Sequence, residues 1–272
     1  MKANYHTHTT RCKHAQGTDE AYVRSAISGG FDVLGFADHA PWPYAGGFIS
    51  GIRMSCDELP GYVAALRGLR ARYEGQLRLH IGLESEYFPR YHDHLLRMRE
   101  QGIEYFILGQ HYADSDEDTP YAGFECRTDD GVRRYAESVA RAVRTGLYRY
   151  IAHPDLFMRV RRDGEFNAAC EEAADMICQA AKEQGIPLEY NLLGLSLREE
   201  EAAEAAAGQR DGARGYPCPP FWQYARKWGN NAILGVDAHE PEALTDAGLW
   251  SRGRQQLEAM GYTIIDHLDM EV

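Results

Sequence analysis

The stretch ANYHTHTTRCKHAQGTDEAYVRSAISGGFDVLGFADH, residues 3–39, begins with a short β-like run, crosses a polar loop into a helical pattern, and returns to a second β-like run. Thr18 stands where a helix N-cap belongs and Gly29 where that helix would stop. Strand, helix and strand in this order predict parallel strands with the helix packed outside them. The first run also carries a chemical signal. A strand sends residues i and i+2 to one face, so His6 and His8 point the same way and can reach a common object, which suggests a metal. Two solvated histidines at an exposed strand end are the plain alternative.

The alternation continues through QLRLHIGLE (76–84), IEYFILGQH (103–111), YRYIAHPD (148–155), IPLEYN (186–191) and NAILGVDAH (231–239), making seven strand runs. Helical patterns lie between them, among them 56–75, 90–102, 129–144 and 167–184, with Asp57 as a further N-cap and Gly75, Gly102, Gly146 and Gly185 as stops. REEEAAEAAAGQR (198–210) reads as a solvated helix. The looser segments are 40–55, 114–128 and 208–220, and there is no internal repeat.

With 272 residues and 44% hydrophobic composition, the chain can bury a large core, and a single domain over 1–272 is expected. A net charge of −12 argues against a nucleic-acid partner. The six cysteines are scattered without a CxxC pair, so they read as reduced thiols of a cytoplasmic protein. No secretory signal is read behind Lys2, and no run approaches the ~20 apolar residues that span a membrane. Oligomeric state is not readable.

The polar residues fall at one place in each unit. His6, His8, Asp38, His39, Glu84, His111, His153, Asp237 and His239 all sit at carboxyl ends of strand runs, and His14 follows in the first loop. In parallel barrels those ends form the active face. A lone histidine is usually a satisfied core residue, as expected for His80, His92, His94 and His267, but many at one rim are not. Pro154 disfavours the helical conformation at His153, which fits an extended strand end. Imidazoles with carboxylates suit Zn, Fe or Mn, and Glu84 has two oxygens with which to bridge ions. Clustered ions are a device of phosphoryl transfer, where they acidify water and grip phosphate oxygens.

The motifs YHTHT, FADH, GLE, GQH, AHPD and GVDAH stand in the order of the PHP superfamily, named for its polymerase and histidinol-phosphatase members, and they span nearly the whole chain. The resemblance implies a distorted (β/α)7 barrel holding three divalent metal ions. It implies His6, His8, Glu84 and Asp237 for the first ion, Glu84, His111 and His153 for the second, and His14, His39 and His239 for the third. Some members use an acid near the position of His14, which keeps Asp19 as an alternative; Asp19 also fits a plain role at a helix N-terminus.

TTRCKHAQGT, ADHAPWP and GYPCPPFW most resemble the histidinol-phosphate phosphatases of histidine biosynthesis. The implied reaction is hydrolysis of L-histidinol phosphate to L-histidinol and phosphate, with Asp237 and His239 as nearby candidates to protonate the leaving alkoxide. Arg159 and Arg198, placed in loops of the active face, resemble the family's phosphate-gripping arginines, although Ser196 and Leu197 intervene before Arg198. Segments 40–55 and 114–128, with Trp42 and Tyr44, are expected to recognise the rest of the substrate. The alternatives are a PHP phosphoesterase acting on another small phosphate or a nucleotide, a non-catalytic module that keeps the fold, and an amidohydrolase. The ligand positions argue against the module, and the lack of a lysine at a strand end argues against the amidohydrolase.

Overall fold

The structure, a computed structural model, describes residues 1–209 and 214–270. Seven parallel strands follow one another in sheet order: β1 (Ala3–Asn4), β2 (Val33–His39), β3 (Arg78–Ser85), β4 (Tyr105–Leu108), β5 (Tyr148–Ile151), β6 (Leu188–Asn191) and β7 (Ala232–Gly235). Beyond the ends of β1 and β7, Thr7 bridges Ala238 in parallel, and the His8 N–H donates to the Ala238 carbonyl at 2.9 Å. These bonds nearly close the sheet into the expected α/β barrel.

Helices α1 (Asp19–Ser28), α2 (Leu59–Arg72), α3 (His92–Glu100), α4 (Ala122–Glu125), α5 (Asp129–Val143), α6 (Ala168–Gln184), α7 (Leu192–Ala206), α8 (Pro219–Trp228) and α9 (Ala247–Ala259) lie outside it. Their boundaries follow local chemistry. Thr18, Thr128 and Asn167 each accept a backbone N–H at a helix start, and Gly185 ends α6 in the left-handed region. Near α2 the cap is Ser55 rather than Asp57, because Ser55 and Glu58 form a capping box around a 3-10 turn. None of the described helices is long and apolar enough to cross a membrane.

Two apolar regions hold the layers together. The outer one joins helix faces to the sheet, while a smaller one fills the barrel with Tyr5, Ala37, Tyr105, Ile107, Tyr150 and neighbours. Tyr105 crosses this interior, and its hydroxyl donates to the carbonyls of Tyr5 and Phe36. Ile265, Leu268 and Met270 pack against the same cluster. The packed interior leaves the carboxyl ends of the strands as the place where polar side chains converge.

Four local expectations change. His153 is not extended: its φ is +29°, and Asp237 has φ +53°. Non-glycine residues rarely adopt such angles, and they concentrate where surroundings over-determine a functional geometry. Segment 114–128 contains α4, and Arg198 lies on α7 rather than in a loop, because Asn191 caps that helix directly behind β6. Trp42 is buried, its indole N–H donating to Glu86, so it packs in the core instead of facing a ligand.

Candidate metal centre

Glu84 ends β3 with both oxygens occupied by imidazoles. Its Oε1 lies 2.8 Å from His153 Nε2 and 3.4 Å from His111 Nε2, while Oε2 lies 3.0 Å from His39 Nδ1, 3.5 Å from His8 Nε2 and 3.6 Å from His6 Nε2. One carboxylate therefore straddles two sets of rings. Asp237 faces it: Oδ1 is 3.2 Å from His8 Nε2 and 3.3 Å from His6 Nε2. The pairing of His6 with His8 holds, with ring centroids 5.2 Å apart. His14 joins the group through His239, ring centroids 4.8 Å apart, whereas Asp19 is held by Arg11 at 2.9 Å.

Backbone geometry makes room for these carboxylates. A Cβ at Gly109 would overlap Glu84 Oε1, and one at Gly235 would overlap Glu189 Oε1, so a side chain at either place would have to displace a carboxylate.

The donor set fits cations. Buried polar atoms nearly always have hydrogen-bond partners, yet His6 Nε2, His8 Nε2, His39 Nδ1 and Asp237 Oδ1 are buried here without one. Groups whose ligand atoms lie within 4.8 Å of one another include His6, His8 and Glu84; His6, His153 and Asp237; and His8, His39 and His239. The ionisation pattern has the same origin. Burial disfavours charge on His6, but Asp237, Glu189 and Glu84 outweigh it and hold the ring well above its ordinary range. Burial likewise opposes charge on Glu84, and His111, His6 and His39 overcome it, keeping the carboxyl well below its usual value. Burial dominates at His39 and His239, driven down to about 3 and about 4. Those two rings stand neutral.

Several residues that sequence reasoning missed support the first ones. Glu189 Oε1 accepts from His6 Nδ1 at 2.8 Å, and its Oε2 accepts from the His153 backbone N–H and from Asn191, both at 2.9 Å. Asn191 also donates to Asp237 Oδ2 at 3.1 Å. Glu86 lies 3.5 Å from His111 Nδ1 and is gripped by the fully buried Arg53 at 2.9 and 3.0 Å. The sequence did carry a signal: a glutamate inside the apolar run IPLEYN, and a second one two residues after Glu84, on the same face.

The two arginines differ. Arg159 is next to the site: its charge acts on Tyr121 and Tyr216, whose hydroxyls burial pushes up, and those rings lie 6.1 Å from His111 and 5.6 Å from His153. It has no carboxylate partner among the described residues. Arg198 is committed to Asp163 and to the Gly215 carbonyl. Likewise Tyr44 of segment 40–55 donates to Asp116, so both expected recognition segments are tied to each other.

A nearly closed parallel barrel whose mouth gathers histidines around two carboxylates defines a metal-binding α/β-barrel enzyme. The chain belongs to the PHP domain family, whose model matches residues 4–192. It is 30% identical over 243 residues to a Deinococcus radiodurans protein called "Probable histidinol-phosphatase", covering 87% of this chain and 85% of that one. A Bacillus subtilis histidinol-phosphatase is 28% identical over 123 residues, covering 43% of this chain and 46% of its own. Among solved structures, the histidinol phosphate phosphatase of Lactococcus lactis, complexed with zinc, L-histidinol and phosphate, superposes with a TM-score of 0.70 at 17% identity, covering 98% of each chain. At that identity the likeness concerns the fold.

Proposed function

We propose that residues 1–272 form one catalytic domain, a metal-dependent phosphomonoesterase that hydrolyses L-histidinol phosphate to L-histidinol and phosphate in histidine biosynthesis. The observation that carries this reading is Glu84, whose two oxygens face two sets of buried rings, each ring keeping a nitrogen without a hydrogen-bond partner. The relatives' shared name supports the choice of alcohol. Six free thiols fit a reducing, cytoplasmic setting.

Three divalent ions, zinc, iron or manganese, would be held by His6, His8, Glu84 and Asp237, by Glu84, His111 and His153, and by His14, His39 and His239. Bound there, such a cluster supplies Lewis acidity that acidifies water and neutralises charge on phosphoryl oxygens. The protein supplies the rest. Glu189 fixes the orientation of His6, and the Glu86 carboxylate stands 3.5 Å from His111 Nδ1. Arg159, whose charge acts on Tyr121 and Tyr216 and which has no carboxylate partner among the described residues, offers two parallel donors to phosphate oxygens. Asp237 and His239, side by side at the mouth, can relay to the departing alkoxide a proton released by the attacking water.

The test is turnover by metal-replete protein of histidinol phosphate against a panel of sugar phosphates and nucleotides. Histidinol phosphate is expected to give the highest kcat/KM. Faster turnover of any other ester would replace the substrate assignment, and no metal-dependent phosphate release at all would remove the enzyme.

A further inference from the structure

Four of the six cysteines, Cys126, Cys170, Cys178 and Cys218, are packed in the outer apolar core, and Cys56 is half-buried beside His94. Cys12 differs from all of them. It is fully buried, yet it belongs to neither apolar cluster. Its surroundings are polar: Sγ lies within 4.8 Å of ring nitrogens of both His14 and His239, and within the same span of His8 and Asp38. A buried thiol usually earns its place by packing against hydrocarbon.

The local backbone is built to hold this arrangement. Thr9 caps the 3-10 turn Thr10–Cys12, and Lys13 then takes a left-handed φ of +68°, which brings residues 12 and 14 together. The Lys13 ammonium donates to the Ser50 carbonyl and fastens the bend. His14 Nδ1 lies 2.7 Å from the Cys12 carbonyl and His239 Nδ1 lies 3.0 Å from the Asp237 carbonyl. A carbonyl only accepts, so each Nδ1 carries the proton and each Nε2 keeps its lone pair. Two oriented imidazoles and one sulfur make a donor set.

We propose that Cys12, as its thiolate, is a further donor to the cation held by His14 and His239. The inference rests on the metal reading above and deepens it. On loading, the S–H bond breaks, a sulfur–metal bond forms and the proton leaves to solvent. A thiolate with two imidazoles favours zinc, iron or cobalt over magnesium or calcium, so this position is selective for the thiophilic ions.

Cobalt(II) substitution tests it, because a cobalt–thiolate bond gives a sulfur-to-metal charge-transfer band in the near ultraviolet that nitrogen and oxygen donors do not. Chelator-stripped protein is titrated with cobalt(II), with bound cobalt measured in parallel. The wild type is expected to show the band, Cys56→Ser to keep it, and Cys12→Ser and Cys12→Ala to lose it entirely. Bound cobalt with visible d–d bands and no sulfur band in the wild type overturns the role of Cys12 and leaves the metal centre intact. No bound cobalt overturns both. A band surviving in a folded Cys12 variant overturns the proposal as well. If both Cys12 variants misfold, wild type and Cys56→Ser still decide, since no other thiol lies outside the apolar core.

Discussion

Glu189 Oε1 and His6 Nδ1 are 2.8 Å apart, both fully buried, and the other Glu189 oxygen takes the backbone N–H of His153 at 2.9 Å. One carboxylate thus aims one ring and steadies the chain beside another. Outer partners of this kind typically change metal affinity or activity by about 10–100-fold. Glu189→Ala is expected to lower metal affinity by that order in a metal titration, and Glu189→Gln, which keeps an acceptor, by less. Wild-type affinity in Glu189→Ala would end its orienting role.

Gly109 lies where a methyl group would strike Glu84 Oε1, so Gly109→Ala must push the central carboxylate aside. A misplacement of about 1 Å can cost on the order of 10²-fold in rate. Activity is expected to fall by that order and metal content to fall with it. Gly68→Ala on α2, where an added Cβ meets nothing, serves as the control and should leave both unchanged. Equal behaviour of the two variants, read by assay and metal analysis, would sink the explanation.

The strand-end histidines were legible because a strand's alternation and its carboxyl end can be read from the chain alone; His6, His8, His39, Glu84 and Asp237 needed nothing more. Glu189 was not, because one acid in a short apolar run looks like an exposed position until the register of β6 on β7, Glu189 opposite Ile233, buries it. Trp42 and Tyr44 misled for a related reason: their partners Glu86 and Asp116 are distant in sequence, and only the fold shows that these groups spend their hydrogen bonds on each other. His153 was placed correctly but in the wrong conformation, since the bias of Pro154 is local and the grip of Glu84 and Glu189 is tertiary.

Removing metal should destabilise the fold. A ligand that binds only the native state adds about 2.7 kcal/mol when present at a hundred times its Kd. For a chain of this size that corresponds to a Tm shift of about 5–10 °C. Chelator-treated protein is expected to melt lower by that amount and to recover on adding zinc or manganese. Glu84→Ala should melt with little dependence on metal, because its carboxylate is central to both ring sets. An unchanged Tm on chelation, with metal loss verified, would contradict the cluster.

Arg159 and Arg198 separate a binding role from an anchoring one. The Arg198 guanidinium is already spent on Asp163 and the Gly215 carbonyl, which ties α7 to the chain on either side of it. The Arg159 charge acts on Tyr121 and Tyr216, whose rings lie beside those of His111 and His153, and it has no carboxylate partner among the described residues. A hydrogen bond to a charged group contributes about 1.5–3 kcal/mol, or roughly 10–150-fold. Arg159→Ala is therefore expected to lower kcat/KM by that factor with an unchanged Tm. Arg198→Ala should lower Tm, while Asp163→Asn should reproduce much of its effect, because the two form one contact. Steady-state kinetics and thermal melts on the three variants decide between the roles. A loss of kcat/KM in Arg198→Ala as large as in Arg159→Ala, without a change in Tm, would mean that Arg198 leaves Asp163 to meet the substrate.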